Sequence, residues 1–288
     1  GKSFGYSMKL SLARKLIFSK WHEALGGNVR AIASGSAALN PKLTRIFLAA
    51  GINIQEGYGL TETSPVISVN GRPLEDKLIG GVGRPIKNVM VRIADDGEIT
   101  VKGPNVMMGY YKQPELTAEV LSSEGWFKTG DIGEINDQGH LRITDRKKEI
   151  FKTSGGKYVA PQIMENTFKE SRFIEQIMVI GESEKHPAAL VQPEWEYVRE
   201  WCAKKGVEFG SEDQVVKDQR LIDRISEEID KANKQFSQWE QVKKFELTPE
   251  SWTIDAGHLT PTLKLKRKNI IKSYADLYEG IYGHPPIR

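Results

Sequence analysis

Gln55-Glu56-Gly57-Tyr58-Gly59-Leu60-Thr61-Glu62-Thr63-Ser64-Pro65 sets a ring, a hydroxyl and a carboxylate among glycines at the end of an apolar segment. Gly57 and Gly59 read as points where the backbone turns without a clashing side chain. Tyr58 offers a ring on which a base can stack, Thr61 a hydroxyl for phosphate, and Glu62 hard oxygens for Mg²⁺, which favours a carboxylate together with substrate phosphates. A Gly-Tyr-Gly tripeptide alone is ordinary turn material. Working outward, Ile52-Asn53-Ile54-Gln55 reads as a strand, Pro41 to Ala50 as a helix closed by Gly51, and Val29-Arg30-Ala31-Ile32-Ala33 as a short buried strand. Strand, helix, strand is the alternation of a parallel sheet, whose ligands sit beyond the strand ends.

The whole string resembles the adenylate-forming family, which contains acyl-CoA synthetases, luciferases and peptide-synthetase adenylation domains. The glycine-tyrosine-glycine-leucine-threonine-glutamate run is a signature there. The resemblance implies that Tyr58 lies against adenine, Thr61 contacts the α-phosphate and Glu62 helps hold Mg²⁺. It also matches Ser34-Gly35-Ser36 to the segment whose backbone lines the adenine edge, which puts Gly35 and Ser36 among the nucleotide-binding residues.

From Gly80 the texture changes. Val89–Ile93 and Glu98–Lys102 alternate around Asp95-Asp96-Gly97, and Asp131–Ile135 and His140–Thr144 around Asp137-Gln138-Gly139, as two hairpins of a small barrel or curled sheet. A carboxylate can accept hydrogen bonds from two ribose hydroxyls at once. In the family a threonine-glycine-aspartate motif carries one, which matches Asp131; without the opening motif, a turn carboxylate is the preferred reading of Asp131. Arg146 matches the arginine that reaches ribose and phosphate with its fixed fork of donors. Lys148 matches the hinge on which the family's C-terminal domain turns. In Phe151-Lys152-Thr153-Ser154-Gly155-Gly156-Lys157, the resemblance assigns Gly155, Gly156 and Lys152 to the loop that lines the coenzyme A tunnel; a surface turn with solvated lysines is the competing reading.

Pro161 suits the first position of a helix with Ile163, Thr167 and Phe168 on one face. Gln176–Gly181 and Ala188–Gln192 read as neighbouring strands, Glu194 to Lys205 as a helix, and Leu221, Ile222, Ile225, Ile229, Ala232 and Phe236 as the stripe of a longer one. Near the end, Leu259-Thr260-Pro261-Thr262-Leu263-Lys264-Leu265-Lys266-Arg267-Lys268 reads as a solvated basic run or, by resemblance, as the terminal lysine motif. Its Lys-x-x-Arg spacing puts Lys264 at the catalytic lysine and Arg267 three residues on. Leu263 stands where most members have glycine, and Lys266 is the alternative lysine.

The totals fit a globular protein of 288 residues, 39% hydrophobic, with about two domains by length. Its 41 basic and 38 acidic residues nearly cancel, which argues against nucleic acid as a partner. The single cysteine, Cys202, excludes an intrachain disulfide and suits a reducing compartment. No apolar run approaches the ~20 residues of a spanning helix. Residues 8 to 25, with Ser7 as candidate N-cap, read as a helix whose Lys9, Arg14, Lys15 and Lys20 suit either solvent or a membrane surface.

The expected architecture is therefore mixed α/β and α+β: a partial α/β nucleotide-binding subdomain (1–84), an antiparallel β-barrel-like subdomain (85–146) and a mobile C-terminal α+β domain (147–288). The resemblance implies ATP or AMP, Mg²⁺ and coenzyme A as ligands and a long-chain fatty acid as substrate; the expected location is cytoplasmic, with peripheral contact at the inner membrane face left open. Another carboxylate-CoA ligase, a peptide-synthetase adenylation domain and a non-catalytic nucleotide-binding module are the alternatives. The family's upstream phosphate-gripping loop is not in the chain, so the first subdomain is expected to be incomplete, inactive alone, and to expose apolar faces that favour oligomers.

Overall fold

The computed structural model describes residues 4–71 and 73–286. It divides into two compact units, one of residues 1–129 and 133–143 and the other of residues 130–132 and 144–288.

The first unit opens with one long helical run: α1 (Phe4–Ala13), a π turn over Arg14–Phe18, and α2 (Ser19–Ala24). It begins before Ser7, so the expected N-cap lies inside the helix. Phe18 packs on Trp21 and Trp21 on Phe47, but Met8, Leu12, Leu16 and Ile17 remain exposed. β1 (Ile32–Ser34), α3 (Pro41–Ala49) and β2 (Ile54–Gly59) form the anticipated crossover, with β1 and β2 parallel. Asn40 starts α3 by accepting the Lys42 N–H at 2.8 Å, with Pro41 just behind it.

The Gly-Tyr-Gly run is not a turn. β2 continues through Gly59 and pairs antiparallel with β3 (Val66–Val69), with an irregularity between Tyr58 and Gly59. A Cβ on Gly59 would overlap the Pro65 carbonyl, so glycine is needed there for close backbone approach. β4 (Arg84–Pro85) completes this sheet. β5 (Met90–Ile93) and β6 (Glu98–Lys102) form the first expected hairpin in full register. After α4 (Pro114–Val120) come β7 (Phe127–Ile135) and β8 (Leu141–Arg146), in a sheet ordered β5-β6-β7-β8. β7 starts four residues before the expected strand and carries the Lys-Thr-Gly-Asp segment within it. Tyr58, Ile67, Val89, Ile99, Val101 and Leu141 form one buried cluster of the unit, and Ala50, Ile52 and Ile54 another.

The second unit continues with a small hairpin, β9 (Phe151–Lys152) and β10 (Tyr158–Val159), and then α5 (Pro161–Phe168). The buried face of α5 is Pro161, Met164, Glu165 and Phe168; Ile163 and Thr167 are only partly covered, which rotates the expected face. β11 (Ile174–Ile180) and β12 (Ala188–Pro193) pair antiparallel. α6 (Trp195–Lys205), α7 (Glu212–Val215) and α8 (Gln219–Asn233) follow, and β13 (Lys244–Leu247) joins β12 in parallel. The strand period of two separates two cores. Ile177, Val179, Ala189 and Val191 face α5, α6 and α8, with Leu221, Ile225 and Ile229 opposite them. Met178, Ile180, Ala188 and Leu190 face the other way, onto Trp252, Ile270, Tyr274, Tyr278 and Ile281. Those last four belong to or flank α9 (Arg267–Ser273) and α10 (Ala275–Tyr282). Each fully buried Leu or Ile is worth roughly 1.5–3 kcal/mol, so both faces of this sheet carry the unit's stability.

Candidate functional site

In the first unit the candidate residues collect at the ends of β1 and β2. The parallel register sets Ser34 beside Glu56, so Gly35 and Ser36 leave β1 next to the glycine motif. A Cβ on Gly35 would press on the Gly57 carbonyl at 3.3 Å, and Ser36 has a left-handed φ of 69°. Beyond β2 the chain makes a 3₁₀ turn over Thr61–Thr63 and leaves it through a left-handed Ser64. Thr63 staples the turn: its buried hydroxyl accepts the Leu60 N–H at 3.0 Å and donates to the Pro65 carbonyl at 2.8 Å. With Thr63 turned inward, Thr61 is left exposed and Glu62 half-buried. Tyr58 points into the core and is 8% exposed.

Glu62 has a support that sequence reasoning missed. The Tyr110 hydroxyl donates to Glu62 Oε1 at 3.0 Å, and the Met107 N–H donates to the Glu62 carbonyl at 2.8 Å. Burial, then Glu62, raises the Tyr110 phenol pKa, so the hydroxyl stays a donor. The only signal was an aromatic pair, Tyr110-Tyr111, after a glycine. A carboxylate has about four lone-pair sites, so the Tyr110 bond leaves Glu62 capacity for a hard cation. Among the described residues no group of three or more His, Cys, Asp or Glu side chains that could hold a metal ion occurs.

The second unit gathers its own set. Arg146 Nε lies 3.2 Å from Asp131 Oδ1, pairing a half-exposed guanidinium with a nearly buried carboxylate. Just before it, Asp145 accepts the Arg146 N–H at 2.6 Å and the Gln162 N–H at 2.9 Å, tying β8 to the start of α5. Burial pushes the Asp145 carboxyl up to about 7. Lys264 belongs to the same electrostatic neighbourhood: burial and then the like charge of Arg146 lower its amine pKa, with Asp131 and Glu149 partly offsetting them. Lys266 is exposed where Lys264 is half-buried. Leu263 has φ 59°, so the position where the family has glycine is one whose backbone favours glycine. The turn is closed by the Thr260 N–H on the Lys264 carbonyl at 2.8 Å and by the Lys264 N–H on Thr260 Oγ1 at 3.0 Å.

In the β9–β10 hairpin, Gly156 has a φ of 75°, which favours glycine, while a Cβ on Gly155 would meet only Thr153 Oγ1, at 3.9 Å. Lys152 Nζ sits 4.6 Å from the Tyr158 ring centroid and Lys157 Nζ 5.1 Å from that of Trp239, so both lysines are held on aromatic faces.

Comparison with known proteins completes the assignment. A family model described as AMP-binding enzyme matches residues 7–111, and one for the C-terminal domain of AMP-binding enzymes matches residues 148–285. The chain belongs to the AMP-binding enzymes. Relatives in this family include the long-chain-fatty-acid–CoA ligase FadD15 of Mycobacterium tuberculosis, 39% identical over 93% of this chain and 44% of its own length. Another is long-chain-fatty-acid–CoA ligase 1 of Homo sapiens, 37% identical over 95% of this chain and 41% of its own. The chain thus spans about two fifths of the length of these relatives. Among solved structures, the adenylation domain of a carboxylate reductase from Mycobacterium chelonae shares the fold with a TM-score of 0.73 at 23% identity, covering 95% of this chain and 42% of that one. The A domain of the carboxylic acid reductase from Segniliparus rugosus, in complex with AMP and a co-purified carboxylic acid, gives 0.69 at 27% identity, covering 90% and 40%. Among the described residues no helix is long and apolar enough to cross a membrane.

Proposed function

We propose that this chain is part of an acyl-CoA synthetase that converts a long-chain fatty acid and ATP to acyl-AMP and pyrophosphate, then passes the acyl group to coenzyme A. The observation that carries the reading is the second unit's charge set, in which Lys264 is half-buried in the field of the Arg146–Asp131 pair. A carboxylate is a poor acyl donor because its oxygen leaves badly; adenylation replaces that leaving group with AMP. During attack on the α-phosphorus, negative charge grows on the phosphate oxygens, and fixed cations stabilise it. Lys264 supplies a cation to that charge, Arg146 and Asp131 bind the phosphate and ribose, and Thr61 donates to the α-phosphate. Glu62, oriented by Tyr110, would hold Mg²⁺, which neutralises phosphate charge when bound. Gly155, Gly156 and Lys152 take the coenzyme A arm in the second half-reaction, with Lys148 as the hinge between the two. On this reading the chain divides at residues 84 and 146, and the protein is cytoplasmic. The exposed Met8, Leu12, Leu16 and Ile17 beside basic residues support contact with a membrane surface or a second protein surface.

The test is pyrophosphate release by this chain joined to an upstream segment like that of its relatives. Release that depends on fatty acid supports the ligase; release with aryl or amino acids instead moves the substrate class. Persistent inactivity with retained AMP binding identifies a binding module. Within the active polypeptide, Lys264→Ala is expected to abolish acyl-AMP formation and spare thioester formation from supplied acyl-AMP.

A further inference from the structure

Three residues after Lys264, Arg267 opens α9 with its guanidinium shared among three partners. Nε is 3.2 Å from Glu149 Oε2, Nη2 is 2.8 Å from Glu165 Oε2, and Nη1 donates to the Val179 carbonyl at 3.2 Å. Glu165 returns to the same strand by accepting the Val179 N–H at 2.8 Å. A cation in the first turn of a helix opposes the helix dipole, so Arg267 is not placed there for α9. Nor does a buried ion pair ordinarily outdo well-packed apolar side chains in stability. What the arrangement does is geometric. Glu149 donates its N–H to the Arg146 carbonyl at 2.8 Å and so belongs to the turn that Arg146 begins. One guanidinium therefore ties the Arg146 turn to the segment bearing Lys264, with Val179 and Glu165 as the fixed wall.

We propose that Arg267 is a positioning residue: through Glu149 it fixes the spacing between Lys264 and Arg146, so that the two cations are presented together. This rests on the role given to Lys264 above. A lysine cannot replace the fork, because an ammonium is a point charge without the planar geometry that serves three partners.

Two variants test it. Arg267→Lys keeps a charge beside the buried Glu165, and Glu149→Gln removes the outer arm without stranding a buried charge. In the 288-residue chain, Glu149→Gln is expected to speed amide exchange at Leu263, Lys264 and Lys266 by about tenfold or more while β12 amides stay unchanged. In an adenylation-competent polypeptide carrying this chain, both variants are expected to lower kcat for acyl-AMP formation by about 10- to 100-fold, the range that an ångström of misplacement produces. KM for ATP and thioester formation from supplied acyl-AMP are expected to change by less than about threefold. Unchanged exchange and kcat in Glu149→Gln would overturn the proposal, as would equal loss of both half-reactions with exchange faster throughout the unit. Lys264→Ala run in parallel separates the two ideas. If it leaves adenylation intact, the role of Lys264 fails, and the exchange data alone then decide whether the clamp exists.

Discussion

Replacing Glu56 with glutamine should stabilise the first unit above neutral pH. Glu56 lies on β2 two residues before Tyr58, is 6% exposed, and has one carboxylate oxygen with no hydrogen-bond partner. Burial pushes its pKa from 4.5 up to about 7, although hydrogen bonds from Thr44 and Leu39 and the charge of Lys77 pull it back. Lys77 does not close on it as an ion pair; its ammonium donates to the Ile54 and Gly71 carbonyls at 2.9 and 2.6 Å. Because the folded pKa is raised, the folded state binds the proton more tightly than the unfolded chain. Stability is therefore full below about pH 4.5, falls as pH rises toward 7, and is flat beyond, with a total loss of roughly 3 kcal/mol as an upper bound. Glu56→Gln removes the titration and keeps the shape. Urea unfolding at pH 5 and pH 8, read locally by amide exchange at Ile52 and Asn70, should show the variant matching the parent at pH 5 and exceeding it at pH 8. A variant that loses stability at pH 8, or keeps the parent's pH dependence, would refute the reasoning.

Gly59→Ala should cost more than about 3 kcal/mol, because the new methyl would sit in the Pro65 backbone rather than against a side chain that can move; thermal melts of the first unit check this. Tyr110→Phe removes one hydrogen bond to Glu62 and should cost only about 0.5–1.5 kcal/mol in a melt while weakening nucleotide affinity more in the presence of Mg²⁺ than in its absence, as calorimetry would show. Leu263→Gly relieves a left-handed φ at a residue 63% exposed, and should leave stability unchanged or raise it by up to about 1 kcal/mol in urea unfolding.

Local chemistry in the sequence exposed most of the elements. Pro41 and Gly51 bracketed α3, the Asp-Gly and Gln-Gly turns announced the hairpins, and the apolar runs of β11 and β12 read as neighbouring strands; the Asn40 cap and the cores on both faces of those strands came only with the structure. Reading Gly57 and Gly59 as a turn failed because glycine is also what a strand needs where another backbone crowds it, and the crowding residue, Pro65, lies across a turn that propensity does not reveal. α9 and α10 were hidden inside and behind a basic run, since Arg267 looks like surface charge until Glu149 and Glu165, over a hundred residues earlier, are brought against it. The candidate site was legible for the same reason in reverse: its motifs are contiguous. Tyr110 and Thr63, which hold those motifs in shape, carry no pattern of their own and act through partners that only folding supplies.

The depressed amine of Lys264 leads to a last expectation that separates a ligand-ready cation from a merely crowded one. Burial and then Arg146 make the charged form of Lys264 costly, and Asp131 and Glu149 recover only part of that cost. An anion bound beside it would add attraction for the charged form and draw the amine pKa back upward. Binding must then take up protons wherever the depressed amine of the free protein has begun to lose its own, and fewer as pH is lowered below that range. AMP is a suitable probe, since at about pH 8.5 its own phosphate is fully ionised and its titration does not contribute. Calorimetric binding enthalpies measured in two buffers of different ionisation enthalpy would give the proton count, expected to be positive at alkaline pH, to fall as pH is lowered, and to vanish in Lys264→Ala. Zero uptake at every pH, or uptake unchanged in that variant, would mean that the phosphate is bound away from Lys264 and that the amine's position serves the fold alone.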